Sequence, residues 1–320
     1  MEAKFVNNGK ETGPPVLILA YNRVHELTQV LNAVVEQNPQ ALYISVDGPK
    51  PGLESDSERV YAVREAVMEF QGRWAIKTRI SQTNGGVLEG VLAGIDWFFS
   101  QESQGVILED DVIIAPHSLA LAASLLNQLE PNSEVGSISL FNPVPARRLT
   151  RPDQSVRLSL LPSSQYWGTW ADRWARTSEL RKRLPANHDE VTAAIQALRN
   201  LRFRQHWRNH LEVHGDRWLC WEDLWIVMHW ISNWSAAYTN GNFSRHIGFN
   251  SAATNSWDQP SWYPTAFDNA LALPRKGDNP RYDQRADEWY FNQRFALSPW
   301  KKAKHFVWSR LPWLRERYLA

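Results

Sequence analysis

The apolar positions of the chain change period repeatedly. Val16-Leu17-Ile18-Leu19-Ala20, introduced by Pro14-Pro15, is a continuous apolar run of strand length rich in branched side chains, which predicts a buried parallel strand. Past Asn22-Arg23 the period becomes helical, with Leu27, Val30, Leu31 and Val34 spaced to fill one face of a helix over 26–35. The switch then repeats. Residues 41–46 read as a second strand ending in Asp47-Gly48-Pro49, and Val60, Val63, Val67 and Phe70 give an inward face to a helix over 55–70. A third strand over 75–80 precedes Asn84-Gly85-Gly86 and a helix with Val87, Val91, Ile95 and Phe98 inward. A fourth, Gly105-Val106-Ile107-Leu108, runs directly into Glu109-Asp110-Asp111 and then Val112-Ile113-Ile114.

Strands alternating with helices of these lengths predict an α/β fold: a doubly wound, mostly parallel sheet with right-handed crossovers. Such sheets bind ligands beyond the carboxyl ends of their strands, so Asn22-Arg23, Asp47-Gly48, Asn84-Gly85-Gly86 and Glu109-Asp110-Asp111 are expected along one edge. No glycine follows the first strand in Tyr21-Asn22-Arg23-Val24-His25, which disfavours a dinucleotide fingerprint, and the P-loop signature is missing as well. The second half is less regular. It predicts a strand over 155–161, a helix over 171–184, basic amphipathic helices over 189–214, and Trp221-Glu222-Asp223-Leu224-Trp225 leading into an apolar helical run through Ile231. Residues 274–285 turn to Pro, Gly, Asp and Arg and read as a linker or surface arm.

A chain of 320 residues with 43% hydrophobic and 22% charged residues has the composition of an ordinary globular protein. Its formal charge of +1 offers no electrostatic footprint for nucleic acid. Cys220 has no partner cysteine, residues 1–15 contain no apolar leader, and no run of about twenty apolar residues appears, so a cytoplasmic protein is expected. Tryptophan is the outlier: 11 of its 17 copies fall between Trp167 and Trp262. Indole rings in such numbers form either an aromatic core or platforms for the apolar faces of sugars. Trp167, Trp170 and the small Gly168 are read as an acceptor-side wall, with Trp174, at helical spacing from Trp170, in the core.

Three adjacent carboxylates at the tip of a buried strand repel one another unless a cation offsets them, and Mg²⁺ or Mn²⁺ shared with substrate phosphates does so. A solvated acidic turn is the alternative; the strand context and the shared edge with Asp47 and Asn84 favour the metal-diphosphate site.

At this point the residues resemble the GT-A glycosyltransferases, in particular the group of N-acetylglucosaminyltransferase I and its bacterial relatives. The likeness is carried in order by VLILAYNR from Val16, SVDG from Ser45, Asn84 with its glycines, LEDDVIIAP from Leu108, YWGTWADRW from Tyr166 and WEDLW from Trp221, over about residues 14–256. It implies a GT-A domain over 14–265, with a nucleotide-binding half (14–120) and an aromatic-rich acceptor half (121–265). A loose N-terminus over 1–13 and a C-terminal arm and helix over 266–320 would flank it.

The resemblance further implies that Arg23 lies near a diphosphate and Asp47 at the base, with Ala20, Tyr21, Asn22, Asn84 and Gly85 lining the nucleotide pocket. Asp111 would ligate the metal, while Glu109 and Asp110 would face the ribose and the donor sugar. Asp223 occupies the place of the catalytic base of inverting relatives, with its neighbour Glu222 as the competitor and helix capping as the plain alternative for Asp223. Relatives carry a late metal-binding histidine where this chain has Asn255, leaving Asp111 with phosphates and water, a substitution by His246, or reduced metal dependence.

Residues 298–320 mix six basic side chains with Trp300, Phe306, Trp308 and Trp313, which suits either an interfacial helix on anionic lipid at the inner face of the membrane or a helix packed on the domain. The expected activity is transfer of a sugar from a nucleotide-diphosphate sugar, UDP-sugar favoured, to a hydroxyl of a glycan or lipid-linked acceptor. The competing readings are a nucleotidyltransferase and a glycan-binding protein on a degenerate transferase fold.

Overall fold

The computed structural model describes residues 12–183, 188–214, 220–249, 259–268 and 280–295. The strand–helix alternation expected for the first half is present. β1 (Val16–Ala20), β2 (Leu42–Val46), β3 (Ile76–Ile80) and β4 (Gln104–Glu109) are joined by α1 (Val24–Val35), α2 (Glu54–Gln71) and α3 (Val91–Phe99). Every residue of β1 and β2 is buried, because helices cover both faces of these parallel strands. One difference lies ahead of α3. Gly86–Gly90 forms a π-helical turn, and it leaves Val87, expected inward, 45% exposed at a cavity mouth.

The chain continues through β5 (Val112–Ile114), α4 (Ser118–Leu129), β6 (Val135–Ser139), β7 (Val156–Ser159), β8 (Trp167–Trp170), α5 (Ala171–Arg183), α6 (His188–Ala197), α7 (Leu201–His214), α8 (Trp221–Ile231), β9 (Ser235–Thr239), β10 (Ser244–His246) and α9 (Gln284–Phe295). Eight strands make one mixed sheet in the order β3-β2-β1-β4-β8-β6-β9-β7. Four of its pairings are parallel; β8 enters antiparallel between β4 and β6, and β7 pairs antiparallel with β9. The fold is therefore mixed α/β with a large, mostly parallel central sheet.

β8 explains the tryptophans. Alternate residues of a strand face opposite sides, so Trp167 packs against Trp174, Trp221 and Trp225 while Trp170 donates its indole N–H to Leu126 O at 3.3 Å on the other face. Between them Gly168 lies opposite Val106 of β4, where a Cβ would stand 2.8 Å from Gly105 O. These three residues build the sheet interior.

The packed unit extends beyond the boundary expected at residue 265. α9 buries Ala286, Tyr290 and Phe291, and Asp287 accepts hydrogen bonds from Ser159 Oγ (2.5 Å) and Leu160 N–H (2.8 Å) next to β7. Residues 1–11, 269–279 and 296–320, and with them most of the expected arm and the whole basic aromatic segment, lie outside the described residues; so does Asn255.

Candidate active site

A cavity of about 520 Å³ opens beyond the carboxyl ends of β1, β2 and β4, where the strand-edge rule places a ligand. β1 supplies Ala20 through Arg23, β2 supplies Asp47, and β4 supplies Glu109, Asp110 and Asp111. The start of α8 closes the far side with Trp221 and Glu222. The tips that the sequence aligned along one edge thus meet around one space, since parallel strands in register end at a common level.

Asp47 and Asn84 are both there, but their polar groups are spent on the loop itself. Asp47 accepts from Gly48 N–H (2.9 Å), Gly85 N–H (2.9 Å), Gly86 N–H (3.0 Å) and Asn84 Nδ2 (3.2 Å). A carboxylate has about four acceptor sites, so little is left for a nucleobase. Asn84 also donates to Gly48 O at 2.8 Å. Gly85 contributes its N–H to this turn. The pair fixes the shape of the cavity wall.

Asp56 went unread in the sequence, where it looks like a solvated acid in the first turn of a helix. It is 1% exposed and gathers Tyr21 Oη, Asn22 Nδ2 (2.7 Å), Lys50 N–H (2.8 Å) and Arg59 Nη2 (3.3 Å). Burial alone would push its pKa up, but the hydrogen bonds from Lys50, Tyr21, Asn22 and Arg59 hold it below the usual carboxylate range. It ties the loop after β1 to the loop after β2.

The acidic triplet points three ways. Asp110 accepts Tyr21 N–H at 2.9 Å, and burial raises its pKa to about 6 against the pull of that bond and of Arg23. Burial, Glu222 and Asp110 together push Glu109 up to about 8. Asp111 is 4% exposed and is ion-paired with Arg23. Among the described residues its buried Oδ1 accepts no hydrogen bond, and His246 Nε2 lies 3.3 Å away.

His246 arrives there because β10 pairs antiparallel with β5, placing His246 opposite Val112, and Ile247 N–H bonds Asp111 O at 2.8 Å. Its Nδ1 accepts Gly248 N–H at 3.1 Å, and burial with the neighbouring Arg23 lowers its pKa to about 4. A neutral ring that accepts at Nδ1 carries its proton on Nε2. His246 therefore stands beside Asp111, with Nε2 turned toward the carboxylate. Among the described residues no group of three or more His, Cys, Asp and Glu is placed to hold a metal by itself.

The two candidate bases, Asp223 and Glu222, lie on different sides of α8. α8 begins at Trp221 after Cys220, so Asp223 is its third residue and not its cap. Successive helical residues point about 100° apart. Glu222 accordingly lines the cavity, while Asp223 faces α7, with His210 Nε2 at 3.8 Å from its Oδ2. The acceptor-wall expectation for Trp167, Gly168 and Trp170 is corrected as well, because Trp167 is 0% and Trp170 2% exposed and neither lines the cavity.

No protein-family model matches this sequence, and no curated protein matches it. Among solved structures the chain is similar to "Mannosyltransferase PcManGT from Pyrobaculum calidifontis in complex with GDP-Man and Mn2+", with a TM-score of 0.36 and 14% identity over 52% of this chain and 46% of that one.

Proposed function

We propose that the chain is a GT-A-type glycosyltransferase that moves a sugar from a nucleotide-diphosphate sugar to a hydroxyl of a glycan or lipid-linked acceptor. The observation that carries this reading is the convergence of Arg23, Asp110, Asp111 and Glu222 on one cavity at the carboxyl ends of parallel strands. UDP-sugars are the favoured donors and inversion the favoured outcome, both from the resemblance of the sequence motifs.

Charge supports a divalent cation as cofactor. Among the described residues that line the cavity, the acids Asp47, Asp110, Asp111 and Glu222, with Glu109 pushed up to about 8, outnumber the cations Arg23 and Lys50, an environment that repels a bare diphosphate. Asp111 Oδ1 fits a hard cation: it is a buried oxygen that accepts no hydrogen bond among the described residues. Mg²⁺ or Mn²⁺ commonly takes one or two carboxylates and completes its shell with water and phosphate oxygens, so Asp111 would hold it. When bound, the ion supplies Lewis-acid stabilisation of charge on the departing diphosphate.

The protein's own groups divide the remaining work. Arg23 sits where its guanidinium can pass from Asp111 to a phosphate, a pairing that suits its forked donors. Tyr21 and Asn22, held by Asp56, shape the nucleotide side. Glu222 is the carboxylate on the opposite wall and takes the proton of the acceptor hydroxyl as the new glycosidic bond forms.

The test is a screen of UDP-, GDP- and CDP-sugars for donor hydrolysis with and without Mn²⁺. Release of nucleoside diphosphate is expected. Pyrophosphate released from a nucleoside triphosphate would establish a nucleotidyltransferase instead, and saturable glycan binding without turnover would establish a lectin-like protein.

A further inference from the structure

Glu222 is held from outside the sheet. Arg294, in the last turn of α9 and 72 positions downstream, donates Nη2–H to Glu222 Oε2 at 2.7 Å. The guanidinium is itself fixed: Nη1 donates to Tyr290 Oη at 3.3 Å one turn earlier, and the group lies over the Phe295 ring at 5.0 Å. α9 is in turn anchored by Asp287 on β7 and by Phe291, which stacks on Phe203 of α7 at 4.2 Å. The two side chains of the ion pair are 17% and 29% exposed, so water competes for them only in part.

A charge-assisted bond to one carboxylate oxygen stops rotation about the terminal torsion and leaves the second oxygen available. A general base needs that restraint, because its lone pair has to lie within hydrogen-bond reach of the proton it takes. We propose that Arg294 is a positioning residue that fixes Glu222 Oε2 so that Oε1 is presented to the acceptor hydroxyl. The inference rests on the reading of Glu222 as the base, and it makes α9 part of the catalytic unit.

Arg294→Met and Arg294→Lys test it in the full chain. With the sugar nucleotide found in the donor screen, Arg294→Met should lower kcat by about 10- to 100-fold with the donor KM within about twofold of wild type. Arg294→Lys, which keeps the charge, should recover most of that loss. Wild-type kcat in Arg294→Met, or a kcat loss matched by a collapse of thermal stability that the lysine variant does not relieve, would overturn positioning. A second measurement needs no turnover: ¹⁵N NMR should find the Arg294 guanidinium rotationally restricted in wild type and measurably less restricted in Glu222→Ala, where only the Tyr290 and Phe295 contacts remain. A guanidinium already free in wild type would overturn the contact whatever reaction the chain performs. Turnover of no sugar nucleotide by wild type, with the guanidinium restricted, would instead remove the transferase reading and the positioning role built upon it.

Discussion

The two halves of the central sheet each place an arginine near the end of a strand, and the two arginines do opposite things. Arg157 of β7 is 3% exposed and donates to Thr239 O (3.2 Å), Asn240 Oδ1 (3.0 Å) and Asn142 Oδ1 (3.0 Å), all of them protein atoms, while its buried Nε finds no acceptor among the described residues. Arg23, just past β1, lines an open cavity and has Asp111 as its carboxylate partner. The lesson is that a polar strand end becomes a site only where unspent bonding capacity also meets open space. Asp47 supports the same point within the cavity, since its oxygens are already occupied by backbone donors.

If the contrast holds, substitutions at the β1–β4 edge should cost function and those around β8 should cost stability. Asp111→Ala is expected to have the largest effect, lowering turnover by about 10³-fold or more and weakening UDP binding in the presence of Mn²⁺. Calorimetry with and without the ion measures this, and unchanged affinity in both conditions would remove Asp111 from the site. Glu222→Gln should lower transfer by about 10²- to 10⁴-fold while donor affinity stays, whereas Asp223→Asn should remain within about threefold of wild type. The reverse ranking in steady-state assays would restore Asp223 as the base.

Trp167→Ala should destabilise the fold by about 3–5 kcal/mol, read from denaturant unfolding, because it empties a space among three other indoles. A normal midpoint with a raised acceptor KM would put Trp167 back at an acceptor wall. Asp56→Asn should weaken nucleotide binding by about tenfold, corresponding to the loss of one or two charge-assisted bonds. Equal affinity of the two proteins in calorimetry would reduce Asp56 to a purely structural acid.

The last effect concerns pH. His229 is fully buried, set between Ser137 Oγ (2.9 Å) and Trp225 O (3.1 Å), and burial pushes its pKa down to about 3. The unfolded histidine titrates near 6.5, so between that value and about 3 the unfolded state binds a proton that the native state refuses. Its contribution is complete above pH 6.5 and is lost as pH falls, at up to about 1.4 kcal/mol per unit. His229→Gln should flatten that slope in urea titrations, and an unchanged slope would assign it to other groups.

Much of the site was readable because its residues follow buried strands directly. Continuous apolar runs fix β1, β2 and β4, and the residue after a run is placed by the strand before it, which is why Arg23, Asp110 and Asp111 could be named in advance. Adjacent residues of a helix defeat this reasoning. Glu222 and Asp223 differ in direction by the helical turn, so which of them lines the cavity depends on where α8 starts, and it starts at Trp221 after Cys220. Asp56 carried no usable signal, since three of its four partners, Tyr21, Asn22 and Lys50, lie in two loops 6 to 35 positions away.

By itself, then, the sequence determined the alternation of strands and helices and the polar strand tips, because period and β-branching are local properties of the chain. Tertiary structure alone decided that β8 enters the sheet antiparallel and buries Trp167, that β10 carries His246 to Asp111, and that α9 returns to hold Glu222. Those outcomes depend on which distant surfaces bury one another, and no window of sequence contains both partners.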